Sequence, residues 1–224
     1  MNADCLENDG FTILSDILTN SVCAEIGASL RQIDDMGIGS RSLLDMPWCQ
    51  ALAQAVRRHP AIVPMLPADS LAVQCNYFEK SPERNWLVPM HQDLSIPVME
   101  RLASDELTGW SEKQGAVFVQ APERVLRELV AVRLHIDECG VDDGALRVVP
   151  GSHKFGRVDN ADALALRDRL GEVVCAVKKG GALLIKPLVL HASSKASGNS
   201  RRRVLHLVFG PPCLPLGLRW RQAV

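Results

Sequence analysis

From Leu71 to Phe209 much of the chain is a succession of short strand-like runs separated by glycine-containing turns. A period of two marks a half-buried strand, because successive side chains leave opposite faces. Leu71 to Lys80 reads this way, and Val130 to Asp137, Ala145 to Val149, Glu172 to Val177, Gly181 to Ile185, Leu188 to His191 and Arg203 to Phe209 are further short strand-like runs. Turns fall at Val141-Asp-Asp-Gly144, Pro150-Gly-Ser-His153 and Lys178-Lys-Gly-Gly181. Strands joined by such turns pair antiparallel, so the pattern predicts a mainly β double sheet or jelly roll. A doubly wound parallel sheet needs alternating strands and helices and a glycine-rich phosphate loop, and the sequence has neither.

Helices are expected mostly ahead of this region. A short strand, Phe11-Thr-Ile-Leu14, precedes a helix whose apolar residues Val22, Ile26, Leu30 and Ile33 recur at helical spacing, with Thr19 or Asn20 as its cap. Gly37-Ile-Gly-Ser-Arg41 breaks it. A second helix is signalled by Asp45 as cap and Pro47 in the first turn, where a missing N–H costs nothing. Trp48, Leu52 and Val56 share its buried face, and Pro60 stops it. The expectation is one domain of 224 residues: a helical elaboration over about 15–66 and a β core over about 71–210. Residues 94–129 show no clear strand alternation, with a helix only near Pro122 that carries Val125, Leu126 and Leu129. An excursion of that length suggests a lid or substrate-binding loop. Gly210-Pro-Pro-Cys-Leu-Pro215 reads as an irregular tail.

A formal net charge of -1 with 47% hydrophobic residues gives no electrostatic basis for binding nucleic acid or an anionic membrane, and fits work on a small molecule. The acidic start, Met1-Asn-Ala-Asp-Cys-Leu-Glu, is no secretory signal, and Lys186 interrupts the most apolar run, Gly181 to Leu190. The expected compartment is the cytoplasm, as a monomer or small homo-oligomer. Seven cysteines without Cys-x-x-Cys spacing argue against a disulfide framework and a structural zinc site. Cys75 and Cys175, inside apolar runs, read as small buried residues.

Two His-x-Asp tripeptides carry the chemistry, where chance supplies roughly 0.4 in such a composition. In a strand the two side chains of His91-Gln-Asp93 converge on one point while Gln92 turns away, and the same holds for His135-Ile-Asp137. Either pair, completed by His191, makes the two-His-one-carboxylate face that leaves coordination positions open on Fe(II). Either is also explained as a hydrogen-bonded strand histidine beside a turn aspartate, and spacing does not choose between them. From Leu71 onward Gln74, Asn76, Phe78 and Lys80 point one way, opposite Val73, Cys75 and Tyr77. That polar face either lines a cavity or faces water on an edge strand.

The ordered set His91-Gln-Asp93, Asp143-Gly-Ala-Leu-Arg-Val-Val-Pro-Gly-Ser-His153, His191-Ala-Ser193 and Arg202, together with Leu6-Glu-Asn-Asp-Gly-Phe11 near the start, resembles the phytanoyl-CoA dioxygenase family of Fe(II)/2-oxoglutarate oxygenases. The resemblance spans most of the chain. It implies a double-stranded β-helix, cupin-like, with His91, Asp93 and His191 as metal ligands. His135 and Asp137 then become structural, with Arg133 as an ion-pair partner for Asp137, and His153 part of a turn. The implied cofactors are Fe(II), 2-oxoglutarate as cosubstrate and O2. Arg202, eleven residues after His191, matches the family arginine that grips the far carboxylate of the cosubstrate, as a planar guanidinium is suited to do. Alternation would turn Arg201 and Arg203 to water. Ser193 matches a serine hydrogen-bonded to the same carboxylate, and Trp110 falls near a position that touches the cosubstrate.

The implied reaction is oxidative decarboxylation of 2-oxoglutarate to succinate and CO2, coupled to hydroxylation of a small-molecule substrate. Related halogenases carry a small residue where Asp93 stands, so the carboxylate favours hydroxylation. A cupin-type metal enzyme without 2-oxoglutarate would leave Arg202 without a partner. A non-catalytic binding protein on the same fold would not need the intact ligand set, and a zinc hydrolase would need a further base. Gln74, Asn76 and Arg133 are pocket candidates by strand alternation alone, and the substrate is not legible.

Overall fold

The residues described in the computed structural model are 2–32, 39–198 and 200–224. Helix α1 (Asn2–Asp9) leads into β1 (Phe11–Leu14), α2 (Asn20–Arg31), β2 (Gly39–Ser40) and α3 (Pro47–Arg57). The strands β3 (Leu71–Lys80), β4 (Val88–His91), β5 (Ser95–Val98), β6 (Ser111–Lys113) and β7 (Ala116–Gln120) come next. Helix α4 (Glu123–Glu128), β8 (Val130–His135), β9 (Leu146–Val148), α5 (Asn160–Leu170) and β10 (Val173–Cys175) follow, then β11 (Ala182–Ile185), β12 (His191–Ser193) and β13 (Arg202–Gly210).

All strand pairs are antiparallel. A six-stranded sheet runs β1-β11-β8-β13-β3-β2 and a four-stranded sheet runs β10-β9-β12-β4. This is the jelly-roll arrangement that the alternating pattern predicts. One core lies between the larger sheet and the N-terminal helices, where Leu205, Leu207 and Phe209 of β13 meet Ile26 and Leu30 of α2 and Leu52 and Val56 of α3. A second core is formed where Ala131, Leu183 and Val208 of the larger sheet join Leu146 and Val148 of the smaller one. The alternation along β13 therefore assigns each residue a destination: 205, 207 and 209 to the helices, 206 and 208 to the interior between the sheets. Each buried leucine or phenylalanine there contributes about 1.5–3 kcal/mol by leaving water.

Local chemistry explains most element ends. Thr19 caps α2, its hydroxyl accepting from the Val22 N–H at 3.3 Å. Pro47 opens α3, but its cap is Met46 rather than Asp45, whose carboxylate accepts from Arg221 at 3.0 Å instead. Ile33 and the Gly37-Ile38 break lie outside the described residues. The run from Leu188 to Leu190 is not a strand: Val189 donates to the Lys186 carbonyl at 3.0 Å, and extended pairing starts at His191.

Residues 94–121 are better ordered into structure than the sequence suggests. β5, β7 and β6 form a three-stranded sheet, and α4 follows with Val125 and Leu126 buried. The strands are three to five residues long, too short to show a period. α1 and α5 are also unforeseen, since α5 buries only Ala163 and Leu166 and offers no apolar stripe. The tail folds back: Ala72 and Val224 exchange backbone hydrogen bonds at 2.9 and 3.1 Å, and Trp220 is bridged to Val98. Among the described residues no helix is long and apolar enough to cross a membrane.

Candidate active site

Between the two sheets lies a cavity of about 400 Å³, lined from both sides. The larger sheet supplies it in rows across β3, β13 and β8. Lys80 pairs with Arg202 in one row, Phe78 with Val204 and His135 in the next, and Asn76 with His206 and Arg133 in the third. Gln74, Asn76, Phe78 and Lys80 all line the cavity, so the polar face of β3 looks inward rather than to water. At Val73 the register with β13 slips, and this bulge turns Val73 to the cavity beside Gln74.

The smaller sheet carries the metal-ligand candidates. His191 of β12 pairs directly with His91 of β4, and Asp93 follows two residues on. The His91 and His191 Nε2 atoms each lie 3.7 Å from an Asp93 carboxylate oxygen, and one ligand atom from each of the three falls within 4.8 Å of the others. Each imidazole places Nδ1 at 2.9 Å from a carbonyl two residues earlier, His91 on Pro89 and His191 on Val189. A carbonyl only accepts, so Nδ1 bears the proton and the Nε2 lone pairs are aimed at the common centre. Burial, opposed by Asp93, drives the His191 pKa down to about 4, which keeps the ring neutral. Burial pushes the Asp93 carboxyl up, but His191, His206 and His91 outweigh it and the net shift is downward. Two neutral imidazoles and a carboxylate with oriented lone pairs fit a divalent first-row metal.

The structure joins His91 and Asp93 to His191 and leaves His135 and Asp137 apart. His135 is buried with no partner for Nδ1 among the described residues, its pKa driven to about 3 first by burial and then by Arg133 and Arg202. Asp137 does not pair with Arg133. It accepts from the Arg203 guanidinium at 2.7 and 2.8 Å, so Arg203 is turned away from water, while Arg201 pairs with Glu79 at 2.8 Å. His153 sits 3.1 Å from the Glu7 carbonyl through Nε2, tying its turn to α1.

Arg202 and Ser193 reach the cavity together. Arg202 is buried, donates to the Gly144 carbonyl, and keeps its Nε without a partner among the described residues. Beside it lies Lys80, 1% exposed, whose ammonium donates to the Ser193 hydroxyl at 2.9 Å and the Ser194 carbonyl at 2.6 Å and sits 5.4 Å above the Trp86 ring. Burial and the neighbouring Arg202 lower its pKa to about 8. Two buried cations, a hydroxyl and an orphaned Nε are chemically suited to receive a carboxylate. Sequence analysis placed Lys80 on the correct face but gave it no role, because only the strand pairing sets it beside Arg202.

Trp110 is not among the residues that line the cavity; its indole donates to the Leu107 carbonyl at 3.1 Å and its ring lies 5.5 Å from the Arg101 guanidinium. Trp86, at the edge of β4, supplies the aromatic wall instead. His206, unassigned from sequence, faces the metal candidates with Nε2 4.0 Å from Asp93. Its Nδ1 lies 3.0 Å from the Arg133 guanidinium, which can only donate, so the His206 proton is on Nε2 and faces the carboxylate.

The fold and site define a jelly-roll protein with a two-His-one-carboxylate centre. Solved structures share the fold at low identity. A non-heme α-ketoglutarate-dependent carbocyclase, SnoK, from nogalamycin biosynthesis matches with TM-score 0.69 at 13% identity, covering 94% of this chain and 83% of that one. EctD from S. alaskensis with 2-oxoglutarate and 5-hydroxyectoine matches with TM-score 0.69 at 18% identity over 93% and 74%. HygX from Streptomyces hygroscopicus with iron bound matches with TM-score 0.64 at 17% identity over 94% and 85%. No curated protein matches in sequence. The model of the phytanoyl-CoA dioxygenase (PhyH) family matches residues 6–204, and the chain belongs to that family of non-haem iron, 2-oxoglutarate-dependent oxygenases.

Proposed function

We propose that the chain acts as one Fe(II)- and 2-oxoglutarate-dependent dioxygenase domain that hydroxylates a small-molecule substrate in the cytoplasm, releasing succinate and CO2. The observation that carries this reading is the convergence of His91, Asp93 and His191 on the same cavity that holds Arg202, Lys80 and Ser193. In this reading Fe(II), bound with 2-oxoglutarate and O2, supplies the oxidising chemistry, and the protein supplies ligands and orientation. His91 and His191 offer Nε2, held in the required tautomer by the Pro89 and Val189 carbonyls. Asp93 offers the anionic ligand, and its place at the position where halogenases carry a small residue supports hydroxylation.

Arg202, Lys80 and the Ser193 hydroxyl receive the far carboxylate of the cosubstrate, which fixes the direction in which it lies. Leu146 on the facing sheet gives this end an apolar wall that keeps water out. Seven free cysteines suit a reducing compartment. The neighbours differ: one is a carbocyclase and another was solved with 2-oxoglutarate and 5-hydroxyectoine. Asp93 is therefore what favours hydroxylation in this chain. The test is succinate formation by purified protein given Fe(II), 2-oxoglutarate and O2. Iron-dependent succinate release is expected even without substrate, and its complete absence with every cosubstrate present would sink the oxygenase reading.

A further inference from the structure

Beyond the cosubstrate end, the cavity has a second cationic feature that the reaction as described leaves without a partner. Arg133 projects from β8 into the interior row beside His206, is 8% exposed, and places its guanidinium carbon 5.5 Å from the centre of the Phe78 ring. A guanidinium has five N–H donors. Among the described residues only His206 takes a hydrogen bond from Arg133, and no carboxylate forms an ion pair with it. A buried guanidinium is normally paired, because an uncompensated charge in a poorly polarisable interior is costly. The same row carries Asn76 on the far side of His206, and its buried Oδ1 also lacks a partner among the described residues.

The charge of the whole cavity has the same sign. Its lining includes Arg41, Lys80, Lys113, Arg133 and Arg202 but a single carboxylate, Asp93. Arg202 and Lys80 are accounted for by one end of a dianionic cosubstrate, and a divalent metal would add positive charge beside Asp93. Arg133 feels Asp93, which a metal would engage, and neither it nor Arg41 and Lys113 at the rim has a carboxylate of its own among the described residues. The rim is tied together, since the Arg41 N–H donates to Gln114 beside Lys113 at 2.8 Å. Between rim and floor the wall is apolar, with Ile96, Phe118, Leu129 and Val208 lining it.

From this arrangement we infer that the substrate is an organic anion, a carboxylate or phosphate on an apolar body, whose charged group is anchored by Arg133 and steered in past Arg41 and Lys113. The inference rests on the oxygenase reading and adds the substrate class to it. Arg133 positions the apolar body against the wall that faces His91 and Asp93. A neutral or cationic substrate would leave the guanidinium unpaired and enter against the field of the rim.

The test uses protein loaded with Fe(II) and 2-oxoglutarate without oxygen, so that nothing turns over, titrated in a calorimeter with matched probes. Hexanoate is compared with hexanamide, and hexyl phosphate with hexanol, which separates the carboxylate source from the phosphate. At least one anion is expected to bind tenfold or more tightly than its neutral match. Arg133→Gln should bring the pair to within twofold, whereas Arg133→Lys should keep part of the preference. Affinity for 2-oxoglutarate, read in the same cell beforehand, should move threefold or less in Arg133→Gln. The inference is overturned if neither anion binds at millimolar concentration, if neutral and anionic probes bind alike, or if the preference survives Arg133→Gln. It is equally overturned if Arg133→Gln weakens 2-oxoglutarate as much as the probe, since the guanidinium then serves the cosubstrate. If Arg133→Gln does not fold, Arg41→Gln and Lys113→Gln decide, each expected to lower anion affinity about threefold and to count against the inference if they do not. Failure of the wild-type protein to bind 2-oxoglutarate at all would instead strike the oxygenase reading.

Discussion

His191 stands directly across from His91 in the ladder between β12 and β4, with their ring centroids 4.3 Å apart. Strand pairing rather than a flexible loop therefore sets the separation of the two imidazoles. Two residues on from His91, the Asp93 N–H donates to the Pro187 carbonyl at 3.0 Å, which fixes the turn that brings its carboxylate back under both rings. Little reorganisation is left for a metal to impose.

The two His-x-Asp pairs consequently separate by mutation. His91→Ala or His191→Ala removes one of three ligands and is expected to lower iron-dependent succinate formation at least ~100-fold, with a parallel loss of metal affinity. His135→Gln, away from that centre, should retain activity within about threefold when assayed below its melting temperature. Single-turnover succinate assays alongside metal titration check both, and a His135 variant as dead as the His91 variant would reverse the assignment.

At the other end of the cavity Arg202 and Lys80 are expected to set cosubstrate affinity. Arg202→Gln removes a buried charged donor and should weaken 2-oxoglutarate binding about 10- to 100-fold, in line with roughly 1.5–3 kcal/mol for a hydrogen bond to a charged group. Lys80 adds a pH dependence, since its pKa is lowered to about 8 by burial and by Arg202. Below that pH it is an ammonium and attracts the dianion; above it the charge is lost, so affinity should fall by up to about tenfold per pH unit. Calorimetry at pH 7, 8 and 9 should show this decline in the wild type and a flat, weaker profile in Lys80→Met.

Part of the cavity was legible because its residues lie on strands, where a period of two assigns a face, as for Gln74, Asn76 and Arg133. His91, Asp93, His191, Ser193 and Arg202 were implied by the resemblance to the phytanoyl-CoA dioxygenase family, since spacing alone left the two His-x-Asp pairs equal. The unread parts depend on register. Nothing local tells Lys80 that it will pair with Arg202, or Asp137 that Arg203 rather than Arg133 will reach it, since both depend on which strands become neighbours. Trp110 rested on the resemblance alone, and just ahead of the short β6 it lies outside the cavity lining. α5 escaped because two buried residues make no stripe.

Buried neutral histidines should make stability depend on acid. His135 and His206 are each held at about 3 by burial and by Arg133, and His191 at about 4 by burial, against an ordinary 6.5. Their folded-state pKa values are depressed, so between about pH 6.5 and these values the unfolded chain binds more protons than the folded one. Stability therefore falls as pH drops through that window, by about 1.4 kcal/mol per pH unit for each histidine. Urea unfolding of metal-free protein at pH 7, 6 and 5 is expected to show a steepening loss. His135→Gln should reduce the slope by about a third, and an unchanged slope would mean that His135 is not buried neutral.

Gly144 links the fold to cosubstrate binding through its backbone. It adopts φ +66°, where L side chains are strained, and a Cβ there would meet the Ser194 carbonyl at 2.7 Å and the Lys80 ammonium at 3.0 Å. Its own carbonyl accepts from Arg202. Gly144→Ala should therefore displace both cations of the carboxylate receptor without touching His91, Asp93 or His191. The expected result is a rise of about tenfold or more in the KM for 2-oxoglutarate, together with roughly 1–2 kcal/mol lost stability for a non-glycine residue in that conformation. Metal affinity should stay within about twofold. The separation decides between two pictures of the turn: if metal and cosubstrate affinities fall together, Asp143-Gly144 supports the whole site, and if only the cosubstrate is affected, it serves the receptor formed by Lys80 and Arg202.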